Sequence, residues 1–309
     1  MNPLHDPARR RLMQALAAAS VSAMPALSFA DAASAVLKRP IPSSGELLPA
    51  VGLGTYQSFD VGSGAAQREP VKEVLRLFAQ LGGKLVDSSP MYGRSEAAVG
   101  DLARELGLSG GLFMATKVWT SGRDAGIRQM EESLQRMKVE RMDLMQIHNL
   151  LDWKTHLGTL KQWKADGRIR YIGITHYHAG AYADLERLMK TKDFDFVQFN
   201  YSIAEREAEA RILPLARELG IAVIINRPFA QASLFSGVRG KQVPPWAAEF
   251  DCQSWGQFFL KYILGHDAVT CVIPATGKPQ HLMDNMGAGT GKLPDEIMRA
   301  KMAAFMDGL

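Results

Sequence analysis

An α/β fold closed into a (β/α)8 barrel of the TIM type is predicted by three observations. Eight short apolar runs, at 49–54, 84–87, 112–117, 143–148, 169–174, 194–199, 221–225 and 269–273, alternate with stretches of helical periodicity. Glycine closes four of those stretches just before the next run, where a left-handed residue ends a helix. Polar residues then stand at or just past several runs, and a parallel barrel builds its site from the carboxyl ends of different strands.

The elements follow in order. Residues 31–48 are rich in Pro, Ser and Gly around Arg39–Gly45 and read as a lead-in segment with a short hairpin. Beyond it, 49–309 reads as one barrel domain. The first helical stretch carries Val71, Val74, Leu75, Phe78 and Leu81 and stops at Gly82. Leu102, Leu106 and Leu108 mark the second, with Gly107, and Met130, Leu134 and Met137 the third. Leu157, Leu160 and Trp163 precede Gly167; Leu185 and Leu188 follow; Ile212, Leu215, Ala216 and Leu219 precede Gly220. Residues 226–252 form one long connection, and loops of that length are commonly lids or binding loops. Its aromatic residues Phe229, Phe235 and Trp246 are expected to shape a pocket, joined by Tyr56 and Trp119 from other strand ends. Such walls suit an apolar or aromatic small molecule.

Composition narrows the class. With 309 residues, 47% hydrophobic and 22% charged, the chain can bury a sizeable core. Of the net charge of +4, residues 1–30 hold +2 (Arg9, Arg10 and Arg11 against Asp6). The remainder is nearly balanced and shows no basic stripe interleaved with aromatics, so nucleic-acid binding is not expected. Arg9–Arg11, the apolar stretch after them and Ser28-Phe29-Ala30 have the order of a secretory leader cleaved after Ala30. The arginine pair followed by Leu12 and Met13 resembles the twin-arginine type, which predicts a periplasmic protein, with a cytoplasmic one as the alternative. No later run is long and apolar enough to span a bilayer. Cys252 and Cys271 make no disulfide framework, and Cys271 in VTCVIP reads as a small buried hydrophobe.

The stretch KLVDSSPMYGRSEAAVG, with Asp87 and Tyr92-Gly93 followed by Ser95-Glu96, resembles the aldo-keto reductase signature. Lys117, His148 and the segment VIPATGKPQHLMDN follow in the family's order, and the likeness runs from about 49 to 290. The resemblance implies an NADP(H)-dependent oxidoreductase, with NAD the lesser choice, that reduces an aldehyde or ketone. Tyr92 would be the general acid, Lys117 the cation lowering its pKa, Asp87 the partner of Lys117, and His148 the group orienting the carbonyl. A general acid works best with a pKa near the working pH, which gives a phenol reason to keep an ammonium neighbour.

The same resemblance places the cofactor across the barrel mouth, against Gly54, Thr55, Thr175, His176, Gln198, Arg227 and Pro228, with Gln198 bonding the carboxamide. Thr276, Lys278, His281, Asp284 and Asn285 would hold the adenosine end, Lys278 facing the 2′-phosphate. The chain departs from the pattern at His176, where Asn is usual, and at Asn226, where an aromatic often stacks on the nicotinamide. Ala275 and His281 also stand where basic residues are common. A carbonyl compound is the expected small-molecule partner, and a monomer or weak oligomer the expected assembly.

Two motifs are decoys. Gly287–Lys292 falls one residue short of a phosphate loop and lacks its hydroxyl residue. His176 and His178 are read as pointing to opposite faces, so no ion shared with His148 is expected. Competing readings are a nucleotide-binding barrel with a regulatory role and little turnover, and a metal-dependent hydrolase or isomerase on the same barrel.

Overall fold

The computed structural model describes residues 36–309. The leader expected at 1–30 and the start of the lead-in segment lie outside the described residues. The chain opens with a hairpin of β1 (Lys38–Pro40) and β2 (Leu47–Pro49), and then alternates. β3 (Leu53–Gly54), α1 (Ala65–Gln80), β4 (Leu85–Asp87), α2 (Ser95–Glu105), β5 (Phe113–Val118), α3 (Arg123–Met137) and β6 (Met142–His148) come first. α4 (Trp153–Ala165), β7 (Ile169–Thr175), α5 (Tyr182–Met189), β8 (Phe196–Asn200), α6 (Ile212–Leu219) and β9 (Ala222–Asn226) follow. The chain ends with α7 (Ser233–Gly237), α8 (Trp255–Leu264), β10 (Cys271–Val272), α9 (Pro279–Gly287) and α10 (Glu296–Asp307).

Strands β3 to β10 pair in chain order, every pair parallel. The sheet closes through parallel bridges Val51↔Val272 and Gly54↔Ala275, with Gly52 N–H on Val272 O at 2.8 Å and Gly54 N–H on Pro274 O at 3.2 Å. Seven of the eight apolar runs overlap one strand each. The first is split: Pro49 belongs to the hairpin and only Leu53–Gly54 to the barrel, because the backbone between them turns to bond Leu37 and Val272.

Residues two apart share a face of a strand, and on the inward faces that rule sets a gradient. At the entrance level Leu85, Phe113, Leu144, Tyr171, Phe196 and Ala222 make an apolar cluster that Ile41 and Leu48 of the hairpin, both wholly buried, plug from below. One or two steps further along the same faces stand Asp87, Lys117, Gln146, His148, Thr175, Gln198 and Asn226. The barrel is therefore greasy at its amino end and polar at its carboxyl end. The outer faces meet the helices through Val71, Val74, Leu75 and Phe78 of α1 and their counterparts. Gly82, Gly107, Gly167 and Gly220 end four helical stretches with φ of 82°, 68°, 74° and 65°.

The connection after β9 is not structureless: it folds into α7 and two 3-10 turns. Trp246 packs there on Phe250, Phe258 and Phe305, and Phe229 on Phe235 and Phe259. These rings seat the loop on α8 and α10. Both cysteines are buried free thiols. No described helix is long and apolar enough to cross a membrane.

Candidate active site

The polar ends of the strands converge because the register brings them level. Gly54, Asp87 and Ala115 are aligned, as are Lys117 with Gln146, and His148 with Thr175 and Gln198. The Lys117 ammonium, fully buried, donates to Asp87 Oδ2 and to Ser88 O, both at 2.6 Å. The other carboxylate oxygen, Asp87 Oδ1, accepts from Gln146 Nε2 and Gln198 Nε2, both at 3.0 Å. Lys117 Nζ lies 5.1 Å from the centre of the Tyr92 ring. The His148 ring stands edge-on to Tyr92 with centroids 6.0 Å apart, and its Nδ1 is 3.1 Å from Ser89 Oγ. Asp87, Tyr92, Lys117 and His148 are thus brought together.

Burial and charge set the protonation states. Burial pushes the Tyr92 phenol above its ordinary value of 10; the Lys117 charge works against that rise, and the Asp87 charge adds to it. The resemblance implied a net lowering by Lys117. In this site desolvation wins, because the ring sits where an anion is poorly solvated. Burial weakens the Lys117 ammonium, but the Asp87 carboxylate and the Tyr92 phenol more than offset it, and its pKa ends raised. Burial first, then the Lys117 charge and His176, push His148 down to about 3, so its imidazole is neutral across the physiological range.

Around this centre, Thr55 Oγ1 donates to Asp87 O at 3.0 Å and lies 3.0 Å from the Ser88 hydroxyl, which fixes the backbone that aims Asp87. Thr175 Oγ1 donates to Gln198 Oε1 at 2.9 Å. Gln198, assigned by resemblance to the carboxamide, is thus held by Asp87 and Thr175 and retains one N–H. Tyr56, half exposed, lies with its ring 5.0 Å from Tyr92, and the Trp119 ring is 6.2 Å from His148. Phe229 meets neither ring.

The departures have their own geometry. Asn226 Nδ2 donates to His176 O at 2.9 Å, while Asn226 Oδ1 is buried with no partner. Arg227 donates to Tyr177 O at 3.0 Å, with its guanidinium carbon 5.0 Å from that ring's centre. It stands at φ 51°, next to buried Pro228. His176 and His178 meet edge to face with ring centroids 4.4 Å apart, against the expectation of opposite faces, since positions two apart share one side of an extended chain. No group of three or more His, Cys, Asp or Glu able to hold a metal ion occurs among the described residues.

Beyond β10, Thr276 is buried, and its Oγ1 accepts from Lys278 N–H at 3.1 Å, while the Lys278 side chain is exposed. On α9, His281 is exposed, Asn285 is buried, and Asp284 accepts from Ser254 Oγ at 2.7 Å and Gln257 Nε2 at 3.0 Å. The glycine-rich decoy after α9 turns the carbonyls of Thr290 and Lys292 onto the buried Lys261 ammonium at 2.7 and 2.8 Å. Carbonyls grouped around a cation are the opposite of an anion cradle.

Gln146, Ser89 and Asn226 are the site residues that sequence reasoning passed over or set aside. Gln146 was legible: a lone amide in the apolar strand LMQIH, two positions before His148 and so on its face.

The profile of the Aldo/keto reductase family matches residues 50–303. Among known proteins, the chain is 29% identical to methylglyoxal reductase YeaE of Escherichia coli (strain K12) over 274 residues, 85% of this chain and 92% of that one. It is 26% identical to glyoxal reductase of Bacillus subtilis (strain 168) over 260 residues, 82% and 88% of the two chains. Among solved structures, an aldo/keto reductase from Klebsiella pneumoniae in complex with NADP and acetate has a TM-score of 0.73 at 24% identity, over 85% and 93% of the chains. On the match to the family profile across most of its length, carried on a closed eight-stranded parallel barrel with Asp87, Tyr92, Lys117 and His148 at its mouth, the chain belongs to the aldo/keto reductase family of oxidoreductases.

Proposed function

We propose that this protein reduces a small aldehyde or ketone to the alcohol, using NADPH. The observation that carries the reading is the wholly buried Lys117 ammonium, held 2.6 Å from Asp87 Oδ2 and set against the Tyr92 ring beside a neutral imidazole. Relatives named for methylglyoxal and glyoxal, and a structural neighbour described with NADP, support the substrate class and the cofactor.

Bound NADPH would supply a hydride to the carbonyl carbon. The residues at hand fit such a group: a buried acceptor without a partner at Asn226 Oδ1, a free N–H on Gln198, and an exposed ammonium on Lys278 for a 2′-phosphate. Tyr92, kept protonated by burial, gives its proton to the carbonyl oxygen. Lys117 then stabilises the phenolate left behind, charge held ready where charge develops. Ser89 Oγ accepts from Met91 N–H at 3.3 Å, leaving its own proton for His148 Nδ1. In that arrangement the ring proton stands on Nε2 and would donate to the substrate oxygen. Tyr56 and Trp119, beside Tyr92 and His148, give the carbonyl compound an aromatic wall.

The test is NADPH oxidation with methylglyoxal and an aromatic aldehyde. Tyr92→Phe is expected to lose most of kcat while binding NADPH as the wild type does. Wild-type turnover that survives in Tyr92→Phe would overturn the acid's assignment, and tight NADPH binding without any turnover would favour a regulatory nucleotide-binding barrel.

A further inference from the structure

The carboxylate at the base of the site is held by more than the lysine. Gln146 is wholly buried, and its Nε2 donates to Asp87 Oδ1 at 3.0 Å, on the oxygen that Lys117 does not take. Gln198 Nε2 donates to the same oxygen at the same distance. The place for the Gln146 side chain is cut by Gly173 opposite: a Cβ there would come within 2.9 Å of Gln146 Cγ. Leu144 and Phe196 close the seat, at 3.2 and 3.3 Å from the same point. Gln146 Oε1 meets no donor, so what the fold uses of this amide is its N–H.

A buried ion pair is worth having only when the remaining lone pairs are satisfied and the geometry is held. Asp87 opposes Lys117 at Tyr92, because the carboxylate raises the phenol's pKa while the ammonium lowers it. Donors on Oδ1 spread the carboxylate's charge away from the phenol. We infer that Gln146 is a positioning residue for the reduction: its N–H holds Asp87 Oδ1 and draws part of the carboxylate's charge to that oxygen, so that the Lys117 charge acts on Tyr92 less opposed. This deepens the proposed function and rests on it.

The experiment is the pH profile of kcat for carbonyl reduction by the full enzyme, with NADPH affinity measured by fluorescence quenching. Reduction needs the protonated phenol, so kcat falls as pH rises through the Tyr92 pKa. Gln146→Met keeps the volume and removes the N–H. It is expected to move that basic limb up by about one pH unit and to lower kcat several-fold, with NADPH affinity within twofold of wild type. Gly173→Ala, which pushes Gln146 off its seat without changing its chemistry, is expected to move the limb the same way and serves alone should Gln146→Met fail to fold. A limb at the wild-type pH in a folded Gln146→Met, or in a folded Gly173→Ala, would make Gln146 a space filler and overturn the inference. Failure of the underlying reading is distinguishable, because the wild type itself would then show no turnover or Tyr92→Phe would retain it.

Discussion

Tyr92 and Lys117 show how a single pair sets the chemistry of the mouth. Burial holds the proton on the phenol, and the ammonium limits how strongly it is held. Lys117→Met should therefore cut kcat by roughly 10²–10³, the usual cost of losing one charge-stabilising donor. It should also destabilise the fold by about 3–5 kcal/mol, because Asp87 is left as a buried charge without its partner. Asp87→Asn added to Lys117→Met should restore most of the stability in urea titrations and none of the turnover, which separates the two roles. His148 makes a pH prediction. Unfolded, it takes a proton near pH 6.5; folded, only near 3. Between those values the unfolded chain binds more protons, so stability declines as pH falls from about 6.5, by at most about 1.4 kcal/mol per pH unit. His148→Phe should show a shallower loss in urea midpoints between pH 7 and 4. In the wild type, kcat should show no histidine limb between pH 5 and 8.

At the scale of elements, the strand ends and the turns after them carry the function, and the helices hold them in register. Glu96 of the signature is buried behind the sheet, accepting from Thr116 Oγ1 at 2.6 Å and Arg136 Nη1 at 3.2 Å, so it ties α2 to β5 and α3. Gly100 lets α2 touch α3: a Cβ there would lie 2.2 Å from Arg136 O. Left-handed non-glycine residues gather just past β6 (Asn149, Leu150, Asp152) and β9 (Arg227, Ala230, Gln231, Ala232). Backbone strain of this kind collects at functional loops, and both loops open at the barrel mouth. Ser254 caps α8 by accepting from Gln257 N–H at 3.0 Å and also donates to Asp284 of α9. Ser254→Ala should cost about 1 kcal/mol in thermal or urea unfolding. Asp284, then held by Gln257 alone, should also raise the KM for NADPH a few-fold while kcat holds; an unchanged KM would detach Asp284 from cofactor binding.

The whole molecule is a barrel stoppered at one end and reactive at the other. Ile41 and Leu48 fill the amino end, and Tyr171 Oη bonds Ser44 Oγ at 2.7 Å beneath them. Ile41→Ala should lower unfolding stability by about 2–5 kcal/mol and leave the KM for NADPH unchanged, since the plug lies at the far end from the mouth. At the carboxyl terminus, Arg299 of α10 donates to Tyr262 O at 3.0 Å and to Glu209 Oε1 at 2.6 Å, clasping the last helix to the barrel wall. For the leader we propose twin-arginine export. Arg9→Lys with Arg10→Lys should shift a tagged chain from the periplasmic to the cytoplasmic fraction, and an unchanged distribution would count against that route.

Local chemistry determined the barrel and the core of its site. Eight apolar runs with period-two polar ends, and glycines where helices must stop, leave few other ways to bury both faces of a parallel sheet. Asp87, Lys117 and His148 were legible as the polar ends of successive runs, and Tyr92, five residues past Asp87, through the resemblance to the family signature. What only the tertiary structure decided depends on neighbours far apart in the chain. Burial overrides Lys117 at Tyr92, because desolvation is a property of the surrounding volume and not of the sequence nearby. Phe229 packs on Phe259 of α8 and Trp246 on Phe258 of α8 and Phe305 of α10, partners that lie far along the chain. The partnership of Gln146 with Asp87, 59 residues away, exists only because the closed register sets them on one level of the barrel.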